Sequence, residues 1–352
     1  MDRENKMKKE ELFLPLDLKR ITLPGKLVRS GTELFCSLPD GHVREEEFAV
    51  YEALGRQPLG MILTAHTCVS PEGRSNPWQN AFWDDEYLPD AKRIAEAAQR
   101  QGVPAVMQIG HGGMKAKGSN GGLPVLTPDN MTAGEIRSVV RAFGKTAERA
   151  KRAGMKGIML HGAHQYLLSQ FFYPAFNHRT DRYGGSALNR FRIVLEAIEE
   201  IRKTCGEDYP LFFKVNGDDE SASEEYHRDL VEALRAAEDG LDAAEISGWN
   251  SAPLGIPKGP YFIDNIRRLK EEVGLPLIEV GGIRSVSDML SALEAGASAV
   301  SVCRPLLRDP DFPTLVRDSD DAVSKCRGCG SCFRPWDPKT GQRCPFAGKS
   351  AE

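Results

Sequence analysis

PLIEVGGIRSVSDMLSALEAGASAVSVCRPLLRDP, residues 276–310, is the stretch on which the fold turns. An apolar run, Leu277 to Val280, ends in two glycines, and an amphipathic stretch, Val286 to Ala295, follows it. A second apolar run, Ala299 to Val302, then ends in Cys303 and Arg304. Short apolar runs take a strand, and the 3.6-residue period between them takes a helix, so the stretch reads as one β-α-β unit. Working backwards, six more strand candidates precede it: Leu27 to Ser30, Met61 to Thr64, Ala105 to Ile109, Gly157 to Leu160, Leu211 to Val215 and Ala243 to Ile246. Helical patterns lie between many of them, as at Leu88 to Gln101, Asn189 to Thr204 and Ser223 to Asp239. Several of the strands are apolar throughout, as in a parallel sheet covered by helices. Eight successive units predict an α/β fold closed into a (β/α)8 TIM barrel. An open, doubly wound sheet would need a Gly-rich phosphate turn after its first strand, and RSGTELF (29–35) has no G-x-G-x-x-G pattern.

The chain has 352 residues, 41% apolar and 27% charged, which suits one globular barrel with insertions. Its 46 basic and 50 acidic residues give a net charge of -4 and form no basic stripe, so no nucleic-acid partner is expected. The start, MDRENKMKKEELF, lacks the apolar run of a signal peptide, and no stretch is long enough to span a membrane. A cytoplasmic protein with no membrane partner is the expectation. The barrel is assigned to residues 1–324, and 325–352 read as a Cys-rich appendage with no independent fold. Two segments exceed what a βα turn needs, Gly110 to Thr132 and Leu160 to Ser186, and long loops in compact domains are commonly functional.

Polar residues cluster at the C-terminal ends of the predicted strands, where barrel enzymes build their sites. In chain order they are Ser30 and Thr32; Thr64 and His66; Gln108 and His111; then His161, His164 and Tyr166. Lys214 and Asn216, Ser247 and Gly248, Gly281 to Arg284, and Cys303 with Arg304 complete the set. The glycines and arginines past the last two strands are suited to holding a phosphate with backbone N–H groups and a guanidinium.

HGAHQYLLSQFFYPAFNHRTDRYGGSALNRF (161–191) closely resembles the signature of the Old Yellow Enzyme family of FMN-dependent oxidoreductases. The resemblance continues in LVRSGTE (27–33), MILTAHTCVSPEGR (61–74), VMQIGHGG (106–113), VGGIRS (280–285) and CRPLLRDP (303–310). It implies FMN as cofactor and NAD(P)H as reductant. Thr32 would contact the flavin near N5 and O4, Gln108 its pyrimidine edge, and Lys214, standing where many members have Arg, its N1. Gly282, Cys303 and Arg304 would hold the phosphate, with Ser30, His66, Gly248 and Gly281 completing the cofactor set. His161 and His164 would bind a substrate carbonyl oxygen, and Tyr166 would donate the proton. Two imidazole donors converging on an oxygen that gains negative charge stabilise the transition state of hydride addition to an enone. Asn177, Arg179, Asp181, Tyr183 and Arg190 are expected to hold the long loop together. Three positions depart from the family pattern: Gln165 for a usual Gly, Leu188 for a usual Glu, and Gly113-Met114 for Gly-Arg.

Four cysteines stand apart as singletons (Cys36, Cys68, Cys205, Cys303), and four close the chain in the spacing C-x2-C-x2-C-x11-C. Cys326, Cys329, Cys332 and Cys344 could ligate a [4Fe-4S] cluster or zinc, or form an unoccupied or redox-labile group. This tail resembles that of the family's iron-sulfur branch, which includes dienoyl-CoA reductases and trimethylamine dehydrogenase and carries further C-terminal domains; the chain stops at Glu352 without them. The leading expectation is a two-step NAD(P)H:flavin oxidoreductase acting on a small electron-poor alkene. The alternatives are an amine dehydrogenase passing electrons through the cluster to an external carrier, and a non-catalytic electron-transfer subunit. The sequence sets no subunit number.

Overall fold

The computed structural model describes residues 7–218, 223–249, 255–333 and 341–347. The first six residues and two stretches of the Cys-rich tail, 334–340 and 348–352, lie outside them. Eight parallel strands form the barrel: β1 Leu27–Arg29, β2 Met61–Leu63, β3 Ala105–Gly110, β4 Gly157–Gly162, β5 Leu211–Asn216, β6 Ala243–Ser247, β7 Leu277–Val280 and β8 Ala299–Val302. Each pairs with the next, and β8 pairs with β1, so the sheet closes on itself. The fold is the (β/α)8 barrel expected, with strand ends within two residues of the sequence reading.

Outside the strands run α1 Glu45–Leu54, α2 Leu88–Ala98, α3 Ala133–Arg152, α4 Ala187–Cys205, α5 Glu224–Ala237, α6 Ile263–Glu272, α7 Val286–Glu294 and α8 Phe312–Asp318. Their starts are written in the sequence. Thr132 and Glu135 form a capping box on α3, and Ser285 with Asp288 forms another on α7, each satisfying helix N–H groups that have no partner within the helix. Ser186 and Ser223 cap α4 and α5. No helix among the described residues is long and apolar enough to cross a membrane.

Inside the barrel, side chains alternate by the strand period of two. Val28, Met61, Leu63, Val106, Met159, Phe212, Ala243, Ile278 and Ala299 make a separate apolar cluster, each at most 1% exposed, that plugs the lower half. Two residues further along the same strands the interior changes character: Ser30, Gln108, His161, Lys214, Glu245 and Ser301 are buried and polar. The larger apolar core lies between strands and helices.

The two long loops fold against one another over the rim. Arg179 donates to the carbonyls of Pro128 and Met131, both at 2.6 Å, and Asn177 Nδ2 to those of Phe171 and Tyr183 at 2.7 and 2.8 Å. Arg190 Nε reaches the Phe172 carbonyl at 2.8 Å. These residues hold the loop, as their composition suggested. Nothing in the structure explains Leu188, half-buried at the start of α4.

Candidate active site

Above the polar layer lies a cavity at the C-terminal rim. Ser30, Thr32, His66 and Gln108 line one side of it, with His161, His164, Tyr166, Lys214 and Ser247 beyond. Gly281 to Arg284, Cys303 and Arg304 close the opposite end. Four other candidates stay off this wall: Thr64, His111, Asn216 and Gly248. Thr64 and His111 each sit one residue after an inward position, so strand alternation turns them away. His111 is buried, its Nδ1 accepting from the Gly113 N–H at 3.0 Å. A Cβ on Gly248 would stand 2.3 Å from the Phe262 ring, so this glycine is needed for packing. Asn216 acts through a neighbour, since its Oδ1 accepts the His164 N–H at 3.0 Å while its Nδ2 donates to Tyr173 Oη at 2.7 Å.

His66, His161, His164 and Tyr166 form one ring cluster. The centroid of His161 lies 4.8 Å from that of His66, 5.1 Å from His164 and 4.7 Å from Tyr166. Burial, reinforced by the neighbouring cationic groups, holds His161 and His164 well below the usual imidazole range, and burial takes His66 to about 3. All three are therefore neutral near pH 7. His161 Nδ1 accepts from the Ala163 N–H at 3.3 Å, which leaves the proton of the neutral ring on Nε2. His164 Nε2 lies 2.8 Å from Ser247 Oγ; a serine proton given to that nitrogen leaves Nδ1–H as the imidazole donor. Burial, with the Glu33 carboxyl adding to it, pushes the Tyr166 phenol up to about 12, so it stays protonated.

The loop that presents these groups is backbone-constrained. His164 and Gln165 have φ of 58° and 59°, in the left-handed region that favours glycine. Gln165 thus stands in a conformation that the family's usual Gly adopts without strain. Ser169, Gln170 and Lys115 hold the turn: Ser169 Oγ accepts the Gln165 N–H at 3.3 Å, Gln170 Nε2 donates to Gln165 O at 2.6 Å, and Lys115 Nζ donates to His164 O at 2.7 Å. Lys115 also lies 5.3 Å from the Tyr166 ring centre. Gly113, at φ 57°, lies so close to Gln170 that a Cβ would approach its amide to 2.4 Å.

The cavity fits a flat, phosphate-bearing cofactor. Gly31 passes so close to Gln108 that a Cβ would meet its amide at 2.5 Å, and a Cβ on Gly282 would meet the Gly259 carbonyl at 2.1 Å. Ser301 Oγ lines the cavity, buried and without a hydrogen-bond partner in the protein. Lys214 supplies a buried ammonium on the floor, and Arg284 and Arg304 supply guanidinium groups at the far end. Arg284 also binds the tail, donating from Nε to Cys326 O at 3.0 Å and from Nη2 to Ser324 O at 2.9 Å.

Sequence reasoning missed several wall groups. Glu33 lines the cavity, its Oε1 accepts the Phe35 N–H at 3.1 Å, its Oε2 is buried without a partner, and burial raises the carboxyl to about 8. Glu245, beneath the floor, was legible as a lone carboxylate in the strand AAEIS. Cys326, Gly328, Phe333 and Gln342 bring the tail onto the wall. The tail cysteines are not gathered into a ligand set, because among the described residues no three His, Cys, Asp or Glu groups are placed to hold one metal ion.

Neutral donors at one end of a barrel mouth, with cations and close-packed glycines at the other, suit a site that holds a phosphate-bearing cofactor beside a polar substrate. Comparison with known proteins gives the family. Residues 11–320 match the NADH:flavin oxidoreductase / NADH oxidase family, and the chain belongs to it. It is 32% identical over 337 residues to the probable NADH-dependent flavin oxidoreductase YqiG of Bacillus subtilis, covering 88% of this chain and 89% of that one. To an NADPH dehydrogenase of Halalkalibacterium halodurans it is 30% identical, covering 86% and 93%. Among solved structures, an old yellow enzyme homologue from Zymomonas mobilis superposes with a TM-score of 0.77 at 20% identity, over 90% of this chain and 95% of the other. A 2-naphthoyl-CoA reductase superposes with a TM-score of 0.80 at 23% identity over 90% of this chain, which spans about half (54%) of that longer protein. The protein is thus an FMN-dependent NAD(P)H oxidoreductase of the Old Yellow Enzyme family. The family match ends at residue 320, ahead of the four tail cysteines.

Proposed function

We propose that the enzyme reduces an activated alkene, with His161 and His164 polarising a carbonyl oxygen and Tyr166 delivering a proton. Bound FMN supplies the two-electron chemistry, accepting hydride from NAD(P)H and releasing it to the substrate. Ser30, Thr32, Gln108 and Lys214 are assigned to the flavin, with His66 closing the wall beside them. Gly281, Gly282, Cys303 and Arg304 are assigned to the phosphate, and Gly248 supports the site by letting Phe262 approach.

The observation that carries this reading is the gathering of His161, His164 and Tyr166 at the rim, with His161 Nδ1 accepting from Ala163 N–H and His164 Nε2 against Ser247 Oγ, in surroundings whose burial favours neutral rings and a protonated phenol. As hydride reaches the β-carbon, negative charge develops on the carbonyl oxygen, and fixed N–H donors stabilise it at no cost of reorganisation. Tyr166 O–H then protonates the α-carbon. The rapid-mixing test uses Tyr166→Phe and 2-cyclohexen-1-one. Flavin reduction by NAD(P)H should stay near the wild-type rate while reoxidation by the enone falls by about a hundredfold, in the range of general-acid catalysis. Equal loss in both half-reactions would sink the assignment.

The tail cysteines enter no step of this cycle. That Cys326, Cys329, Cys332 and Cys344 bind metal is a separate proposal resting on their spacing. Iron and zinc measured per chain after anaerobic purification decide it, and trace levels of both would end it. The wall formed by Cys326, Gly328, Phe333 and Gln342 supports treating the tail as part of the barrel's functional unit.

A further inference from the structure

Lys214 and Glu245 are register partners on β5 and β6, both pointing into the barrel above the apolar plug. Lys214 Nζ lies 2.7 Å from Glu245 Oε2, and the two side chains are 4% and 0% exposed. Ser30 Oγ bridges them, 3.1 Å from Nζ and 3.4 Å from Oε2. The second carboxylate oxygen, Glu245 Oε1, is buried without a partner in the protein. Lys214 lines the cavity and Glu245 is not among its lining residues, so the pair forms a dipole with its positive end toward the cavity.

We infer that Glu245 sets the reduction potential of the bound flavin by partly neutralising Lys214. Adding electrons to the cofactor places negative charge above this floor, and a buried cation favours that charge far more than one in water would. A carboxylate in contact with the ammonium opposes the effect at short range. Of the ionisable groups that line the same cavity, His66, His161 and His164 are neutral, burial favours the protonated forms of Glu33 and Tyr166, and Arg284 and Arg304 belong to its far end. Glu245 is therefore the carboxylate paired with the floor's ammonium, and it acts through Lys214 as a positioning residue.

The inference rests on FMN binding, so the flavin content of purified wild-type holoenzyme is measured first. Two readouts then follow on FMN-loaded protein: the midpoint potential of the flavin by dye equilibration, and the dissociation constant of sulfite, whose flavin adduct carries added negative charge. In Glu245→Gln the unopposed ammonium should raise the potential and tighten sulfite binding by roughly tenfold or more. Lys214→Met, leaving the carboxylate alone, should move both the other way. The double variant, with neither charge, should lie between the two single variants. If Glu245→Gln does not retain flavin, the double variant is compared with Lys214→Met alone, and a higher potential in the double variant supports the inference. An FMN-loaded Glu245→Gln with unchanged potential and sulfite affinity would leave Glu245 a structural counter-ion and overturn the inference by itself. A wild type that binds no FMN would overturn the flavin reading together with it.

Discussion

The lower and upper halves of the barrel interior use the same strands and differ by two residues. Val28, Val106, Met159, Phe212, Ala243 and Ala299 face one another in an apolar plug, and Ser30, Gln108, His161, Lys214, Glu245 and Ser301 follow them one pleat higher. Burial is the same in both layers and chemistry is opposite. The lower layer gains from exclusion of water, whereas the upper layer holds polar groups that cost free energy unless a partner satisfies them. The comparison teaches that stability and catalysis are separated along each strand rather than between strands.

The largest expected effect tests the lower layer. Phe212→Ala opens a cavity in the plug and should destabilise the protein by about 3 to 5 kcal/mol, read by urea or thermal unfolding. Tyr166→Phe, on the rim, should leave the melting temperature near the wild-type value while slowing reoxidation. If Phe212→Ala cost no more stability than Tyr166→Phe, the division of labour would fail.

The pH dependence of stability sharpens the same contrast. His66 and His111 are depressed to about 3, and His161 and His164 lie well below the usual value, all four mainly through burial. These rings bind protons more readily in the unfolded chain, so their contribution is present above the usual 6.5 and is lost as pH falls toward 3. Glu33, Glu47 and Glu279 are raised by burial to about 8, 7 and 8. They hold protons in the folded state after the unfolded chain has released them near 4.5, so stability falls as pH rises from there toward 8. Between 4.5 and 6.5 the two sets oppose. The melting temperature should therefore peak near about pH 6.5, and Glu33→Gln should flatten the decline on the alkaline side. A wild-type profile that rises steadily from pH 6 to 8 would contradict these burial effects.

The smallest effect concerns the turn that carries the rim. At φ 59°, Gln165 bears strain that glycine avoids, offset in part by glycine's greater freedom when unfolded. Gln165→Gly should change stability by less than about 1 kcal/mol in the stabilising direction. A loss greater than that would show that the Gln170 and Ser169 hydrogen bonds to this turn depend on the side chain.

Much of this was legible in the sequence because strands buried on both faces and capped helices leave local signals. All eight strands lie within two residues of their expected ends, and the long loop is tied by Asn177, Arg179 and Arg190 as its composition indicated. Thr64 and His111 were counted among the polar residues at the strand ends because proximity to a strand end was read without the period of two that decides which face a side chain takes. Glu245 escaped for a different reason. Its meaning depends on Lys214 in the neighbouring strand, and register between strands 31 residues apart is a tertiary fact. The tail cysteines show the reverse case, in which spacing suggested a ligand set that the chain's path does not assemble among the described residues.

Arg284 gives two of its nitrogens to the carbonyls of Ser324, at the end of the barrel segment, and Cys326, in the tail, while its side chain lines the cavity. An anion that draws this guanidinium inward competes with those carbonyls, and one that settles alongside them reinforces the clasp. Whatever shift in C-terminal order anion binding produces through this guanidinium is matched by an equal and reciprocal change in the affinity for the anion.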